Sequence, residues 1–479
     1  MDKSQPLSST AMPDQESGTI ARVCGHDFIW THQHPRIKDV EKMLYTYDEL
    51  AMEALDRIDA ISPPGPKDGR KCPMSQRDLY ALLEEHSQSD EVLGKLWNEV
   101  NTVPDWVDWE QISRGQRLVY RYHGQMLLGL LFNSLLGGMA AWRVVETLSR
   151  TGGFGVQVTR RRLLETSQHF LEVVEDLDSV KPGGKGFVSS VRVRLLHSTV
   201  RRRIMELERQ KQGYYDTRTW GVPINDLHQV GTIGAYSAAL VWMSLPRQGV
   251  YLSEEETADY LALWRWVGYI MGTPVDWMAT PASAKAMMES VITSEMNPSR
   301  NSQVIANNIL TAEMGAPPLN APRPLLAALA YRLNGHEMAS ALGIDRPNAW
   351  YRGRAWVLGL ILTFMSSSYP FLPEWWQRSR DRKFIKFGHD MVTNHKMGGL
   401  GHSARFEFQY TPALGKTTEM GAFDSAGSWQ RAVVATVGIV LGVAVAALVS
   451  SLFYPWHEIA VQRMGGMVVP AEQVLGKLF

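Results

Sequence analysis

The stretch "VRVRLLHSTVRRR" (191–203) sets five arginines around one histidine on an apolar stripe. On a helix turning about 100° per residue, Val193, Leu196, Val200, Ile204 and Leu207 fall within one arc of roughly 80°. His197 sits at the edge of that arc, with Arg194 and Arg201 just beyond it. The imidazole therefore faces the core and guanidinium groups stand at the rim. Two chemistries suit that placement. One is a core histidine satisfied by a hydrogen bond. The other is a ligand of a metal or of haem, because neutral imidazole is the commonest protein metal ligand and haem is often held by one proximal histidine. In the haem reading, Arg194 and Arg201 are what the two haem carboxylates would seek. No C-x-x-C-H run occurs in the sequence, so such a haem would be the non-covalent b type.

A second candidate face precedes it. In "TRRRLLETSQHFLEV" (159–173), Arg162, Thr166, His169 and Val173 recur at offsets of four, seven and eleven. An arginine and a threonine one turn apart could meet a ligand or bound dioxygen. They suit equally a helix–helix salt bridge and a back-bonded hydroxyl. His169 rivals His197 for the iron, or would be a sixth ligand. Three further motifs are weaker. Cys24, His26, His32 and His34 have zinc-like spacing but lie in a short irregular stretch. "GGFG" (152–155) and "PGGKG" (182–186) read as interhelical turns. "RKFIKFGHDM" (382–391) reads as a solvated helix face, with a membrane-surface helix as the alternative.

These residues need helices to position them, and the patterning supplies them. Apolar residues recur at three- and four-residue spacing in "DVEKMLYTYDELAMEALDRI", "SQRDLYALLEEH" and "SEEETADYLALWRWVGYIM", with Ser75 and Ser253 as helix caps. Only "SGTIARVCG" and "FEFQY" alternate as strands do. The fold class is all-α: one large helical haem-binding domain with a C-terminal transmembrane helix. "MLLGLLFNSLLGGMAAW" (126–142) and "AWVLGLILTFM" (355–365) read as core helices. "AVVATVGIVLGVAVAALVSSLFY" (432–454) carries no charge over 23 residues. As a helix it spans roughly 35 Å, enough for a bilayer core of about 30 Å. The expected boundaries are a partly disordered N-terminal segment (1–74), a helical oxygenase domain (75–400), a linker (401–430), the transmembrane helix (431–455) and a short tail (456–479).

Composition narrows the function classes. Among 479 residues, Lys+Arg and Asp+Glu both number 49, so the global basic field of nucleic-acid binding is missing. Two cysteines, Cys24 and Cys72, exclude a disulfide framework. The polar N-terminus has no apolar signal-peptide core. With 25 residues after Tyr454, membrane insertion would be post-translational and leave the body in the cytosol. Gly438 and Gly442 in the anchor are spaced for helix–helix contact, which gives a homodimer face.

The ordered set Arg162-x-x-x-Thr166 … His197-x-x-x-Arg201, with Arg162 and His197 35 positions apart, resembles the rubber-oxygenase (latex-clearing protein) family. That family includes the fungal endoplasmic-reticulum-bound oxygenases of meroterpenoid pathways, of the mycophenolic-acid type. "VPDWVDWEQISRGQRLVYRY" (103–122) is similar to its entry segment and "YLALWRWVGYIMG" (260–272) to its Trp/Gly-rich helix. The resemblance spans about residues 100–400. It implies an all-α oxygenase with haem b at His197, dioxygen as co-substrate, and Arg162, Thr166 and Arg201 at family positions. It also implies a base at Glu146. Rubber-cleaving members carry a lysine directly before the threonine; here Glu165 stands there, so the distal pocket would differ in polarity. The expected enzyme is a membrane-anchored oxygenase of secondary metabolism in the endoplasmic reticulum. It would act on an apolar prenylated, terpenoid or polyketide substrate at a carbon–carbon double bond, in contact with membrane lipid. The alternative is a non-catalytic, membrane-tethered haem- or lipid-binding helical protein.

Overall fold

The computed structural model describes residues 16–63, 77–151, 153–317 and 320–401, with residues 6, 418 and 419. The transmembrane helix expected at 431–455, its Gly438/Gly442 face, the tail 456–479, the strand candidate 406–410, Ser75 and Cys72 lie outside them. No described helix is long and apolar enough to cross a membrane.

A hairpin opens the described chain: β1 (Ile20–Val23) pairs antiparallel with β2 (His26–Ile29). Cys24 and Gly25 form its two-residue turn, both at positive φ, which matches the right-handed strand twist. Helices follow. α1 (Ile37–Lys42), α2 (Glu49–Ile61), α3 (Leu79–His86) and α4 (Glu91–Asn101) make the first group. Asp48, Asp78 and Asp90 cap the last three, each accepting backbone N–H groups that the first turn leaves unpaired. α5 (Trp109–Leu128) runs into a π-helical stretch, Gly129–Gly137. Then come α6 (Trp142–Arg150), α7 (Val156–Val174), α8 (Leu177–Val180), α9 (Lys185–Gln210), α10 (Thr217–Trp220) and α11 (Asp226–Tyr236). A second π-helical turn, Leu240–Ser244, leads towards α12 (Glu254–Ile270), which Ser253 and Glu256 start with a reciprocal capping box. α13 (Pro281–Glu295), α14 (Arg300–Glu313), α15 (Arg323–Ala341), α16 (Ala349–Ser368) and α17 (Glu374–Thr393) complete it.

Two helix pairs matter for the site. α5 and α12, which carry the two segments that resemble the family's, pack against each other. Arg114 grips Asp259 with both forks at 2.8 Å, and Trp109 meets Trp266 edge to face at 5.5 Å. The crossing is close: a Cβ on Gly115 would lie 2.3 Å from the Asp259 carbonyl oxygen. α7 and α9 form the second pair, joined through α8 and the 182–184 turn. Gly186 lets α9 approach the Glu172 carbonyl, which a Cβ would meet at 2.8 Å.

The 126–142 stretch is core, as its pattern predicts: Met126, Phe132, Asn133 and Leu136 are buried. The 355–365 stretch is not. In α16 only Ala355, Gly359 and Ser366 are buried, while Trp356, Val357, Leu360 and Phe364 are exposed. Helical periodicity identifies an apolar face but not the medium it meets.

These glycines give a paired test. Gly115→Ala should cost about 1–3 kcal/mol through overpacking against Asp259. Gly353→Ala, which meets open space in α16, should gain up to about 1 kcal/mol from helix propensity. Urea melts of both variants check the opposite signs.

Candidate active site

A cavity of about 820 Å³ with a predominantly apolar wall lies inside the helical body. α7, α9 and α11 each contribute a histidine to its wall: His169, His197 and His228. α7 adds Arg162 and Thr166. The structure thus brings Arg162, Thr166, His169 and His197 to one cavity.

His197 is enclosed by protein, yet it keeps accessible surface while its helix neighbours Val193, Ser198 and Val200 are buried. That surface opens into the cavity. Burial pushes its pKa down to about 4, and the positive charges of Arg201 and Arg162 push the same way, so the ring is neutral at pH 7. Gln229 lies beside the ring and opposes this shift, and its own Nε2 is buried without a partner. The Nδ1 nitrogen is buried with no partner in the protein. His169 is held differently. Its Nδ1 lies 2.9 Å from the Ser189 hydroxyl, and burial with the nearby His197 lowers its pKa to about 4. His228 follows the Asn225 cap of α11 and is lowered to about 3 by burial and by Arg143.

The rim residues have other partners. Arg194 is bound by Asp48 at 2.6 and 3.0 Å and by Glu99 at 2.8 Å, so its charge is already compensated by protein carboxylates. Arg201 is fully buried and does not line the cavity. It donates to the Pro223 and Ile224 carbonyls at 3.1 and 2.6 Å and lies over the Tyr47 ring. Its Nη1 alone has no acceptor. Glu165 is also off the cavity wall: Arg161, one turn earlier, takes its carboxylate at 2.9 Å. It therefore cannot set the distal polarity by direct contact. Glu146 is fully buried between Arg150 and Asn301, the latter donating at 2.8 Å, and it too is absent from the wall. A carboxylate so engaged is a structural pair and not a waiting base. His26 and His34 share the Glu289 carboxylate at 2.9 Å each, in place of a zinc site. Among the described residues no three His, Cys, Asp or Glu side chains group to hold a metal.

His228 and Gln229 were missed from sequence. The signal was present: after the Asn225 cap, His228, Thr232 and Ala235 recur at helical spacing, and all three line the cavity.

Residues 120–366, just over half of the chain, match the family described as ER-bound oxygenase mpaB/B'/Rubber oxygenase, catalytic domain. The chain belongs to this family. As a member of a family of oxygenases it is an oxygenase, which sets aside the non-catalytic alternative. A rubber oxygenase from Streptomyces sp. (strain K30) is 21% identical to it over 325 residues, 64% of this chain and 77% of that protein. The structure of latex clearing protein LCP in the closed state shares the fold, with a TM-score of 0.52 at 18% identity over 72% of this chain and 91% of that one. The matched span contains the cavity histidines His169, His197 and His228, and α7 and α9 lie wholly within it.

The neutral histidines set a pH dependence. Their folded pKa values of about 4, 4 and 3 lie below the unfolded value near 6.5. Between those values the unfolded chain binds more protons. Stability is therefore full above about pH 6.5 and lost as pH falls towards 4, by up to ~1.4 kcal/mol per pH unit for each histidine. Urea melts from pH 7 to 4 should show this slope, and His228→Gln should remove one histidine's share.

Proposed function

We propose that this oxygenase binds haem b through His197 and uses dioxygen to attack a carbon–carbon double bond of an apolar, polyisoprenoid-like or prenylated chain. The observation that carries the reading is the neutral His197 imidazole, which keeps accessible surface on an apolar cavity wall. A single protein ligand suits a metal that brings its own equatorial ligands. Bound there, the haem would supply dioxygen activation.

The chain's own groups have distinct tasks. His197 offers a lone pair at physiological pH because burial and two guanidinium groups keep it unprotonated. Gln229 lines the cavity beside the ring. Arg162, on the wall, is the donor suited to haem carboxylates or to developing negative charge, while the buried Arg201 acts on the site only through its charge beside His197. Thr166 would offer a hydroxyl to a polar group of the bound reactants from the same wall. Leu, Met, Phe and Trp side chains exclude water and hold the hydrocarbon. Adding both atoms of dioxygen across the double bond, with scission to two carbonyls, balances without an external reductant.

A single-pass anchor at 431–455, residence in the endoplasmic reticulum with a cytosolic body, and pairing through Gly438 and Gly442 belong to the same reading. Protease added to intact microsomes should digest residues 1–430; full protection would reverse the topology.

His197→Ala should lose the Soret band and dioxygen uptake with a polyisoprenoid substrate, while circular dichroism retains the helical signal. His169→Ala and His228→Ala should keep more than half of the haem. An undiminished Soret band in His197→Ala would end the assignment.

A further inference from the structure

α16 reverses the amphipathic rule, burying small residues and turning large apolar ones outward. In α16, Trp350, Val357, Leu360 and Phe364 recur at offsets of seven, ten and fourteen, so they share one face, and that face points outward. The opposite side, with Ala355, Gly359 and Ser366, is the buried one. The greasy surface continues through Phe371 in the turn, 88% exposed, to Trp375 of α17, 63% exposed. Contiguous exposed apolar surface of this kind marks an interaction site.

Charge identifies the partner. The two helices carry seven Lys/Arg against three Asp/Glu, in a chain whose totals balance at 49 each. Arg352, Arg382, Lys383 and Lys386 are exposed. Tryptophan and phenylalanine beside basic side chains are the composition of helices lying in the headgroup region of anionic membranes. The uncharged 432–454 segment, proposed above as a membrane anchor, follows Thr393 after 38 residues in sequence.

The same helices also wall the cavity. Leu358 and Leu362 of α16 and Phe387 and Met391 of α17 line it. Phe387 is 46% exposed, so it belongs to both the outer surface and the cavity wall.

We propose that the α16–α17 face lies on an anionic phospholipid bilayer and admits an apolar lipid substrate sideways into the cavity past Phe387. The docking stands on the exposed face and its charge; the admission of substrate rests on the functional reading above. A lipid chain leaving the bilayer there would pass from one apolar phase to another without crossing water.

The test uses the full chain bound to vesicles of phosphatidylcholine, with and without phosphatidylglycerol, carrying a diazirine phospholipid. After illumination, labelled peptides are mapped by mass spectrometry. Label should appear in 349–393 as well as in 432–454, which serves as the internal positive control. It should rise with phosphatidylglycerol. The triple variant Val357→Ser, Leu360→Ser, Phe364→Ser, none of which lines the cavity, should lower label in 349–393 at least five-fold and leave 432–454 unchanged. Label confined to 432–454 would overturn the docking. So would cross-links from α16 to a second copy, or to 432–454, in place of lipid. In dioxygen-uptake assays the same variant should lose activity on polyisoprenoid embedded in vesicles and keep it on polyisoprenoid in detergent micelles. Equal activity of variant and parent on vesicles would overturn sideways entry. No uptake by the parent on either form would overturn the functional reading, and the lipid label would still decide the docking.

Discussion

A buried guanidinium must be compensated, and α9 carries two of them seven residues apart. Arg194 takes Asp48 at the start of α2 and Glu99 near the end of α4. Arg201 takes the Pro223 and Ile224 carbonyls just before α11. Each pairing ties a different part of the chain to the same helix. Gly272 shows how little slack is left: it sits at positive φ, and a Cβ there would come within 2.4 Å of Asp48 Oδ2 and 2.6 Å of Arg194 Nε. Breaking a buried pair of this kind costs about 3–5 kcal/mol, because the surviving charge has no solvent.

His197 lies between these two anchors, about one helical turn from each. Its direction is fixed by them and not by partners of its own, which explains how an imidazole with an unpartnered nitrogen persists in the interior. Arg201 does more than hold the helix. The charge of Arg201 reaches the ring and disfavours its protonation, and Arg162 adds to this from α7. Arg201 thus contributes both to the positioning of the site and to its electrostatics.

Much of this was legible in the residues. The all-helical class, the turns at 153–155 and 182–184 and the Ser253 cap follow from local spacing and chain chemistry, and the shared site of the α7 and α9 faces from the family resemblance. What failed to follow was partnership. Arg194 and Glu146 carry charges that suit a ligand or a proton transfer, and both are spent on carboxylate–guanidinium pairs, Arg194 on residues 48 and 99. Glu165 is similarly spent on Arg161. A charge on a helix does not announce which counter-charge the fold will bring to it. His228 was overlooked because one histidine between an Asn cap and a glycine-rich run has no neighbour in sequence to flag it. The outward face of α16 has the periodicity of a core helix and differs only in what surrounds it.

The π-helical stretches at Gly129–Gly137 and Leu240–Ser244 pack on each other, and Gly129 abuts Ser244 so closely that a Cβ would stand 2.3 Å from its hydroxyl. A π turn is an α-helix holding one residue too many for its pitch. Removing a single residue would return it to the α repeat and rotate the chain before it against the chain after it by about 100°. In the first stretch this would redirect Leu130, Leu131, Asn133 and Leu135, which now line the cavity. Relatives can therefore remodel the shape of this chamber through one-residue insertions and deletions, a route of divergence that leaves the composition of its wall almost unchanged.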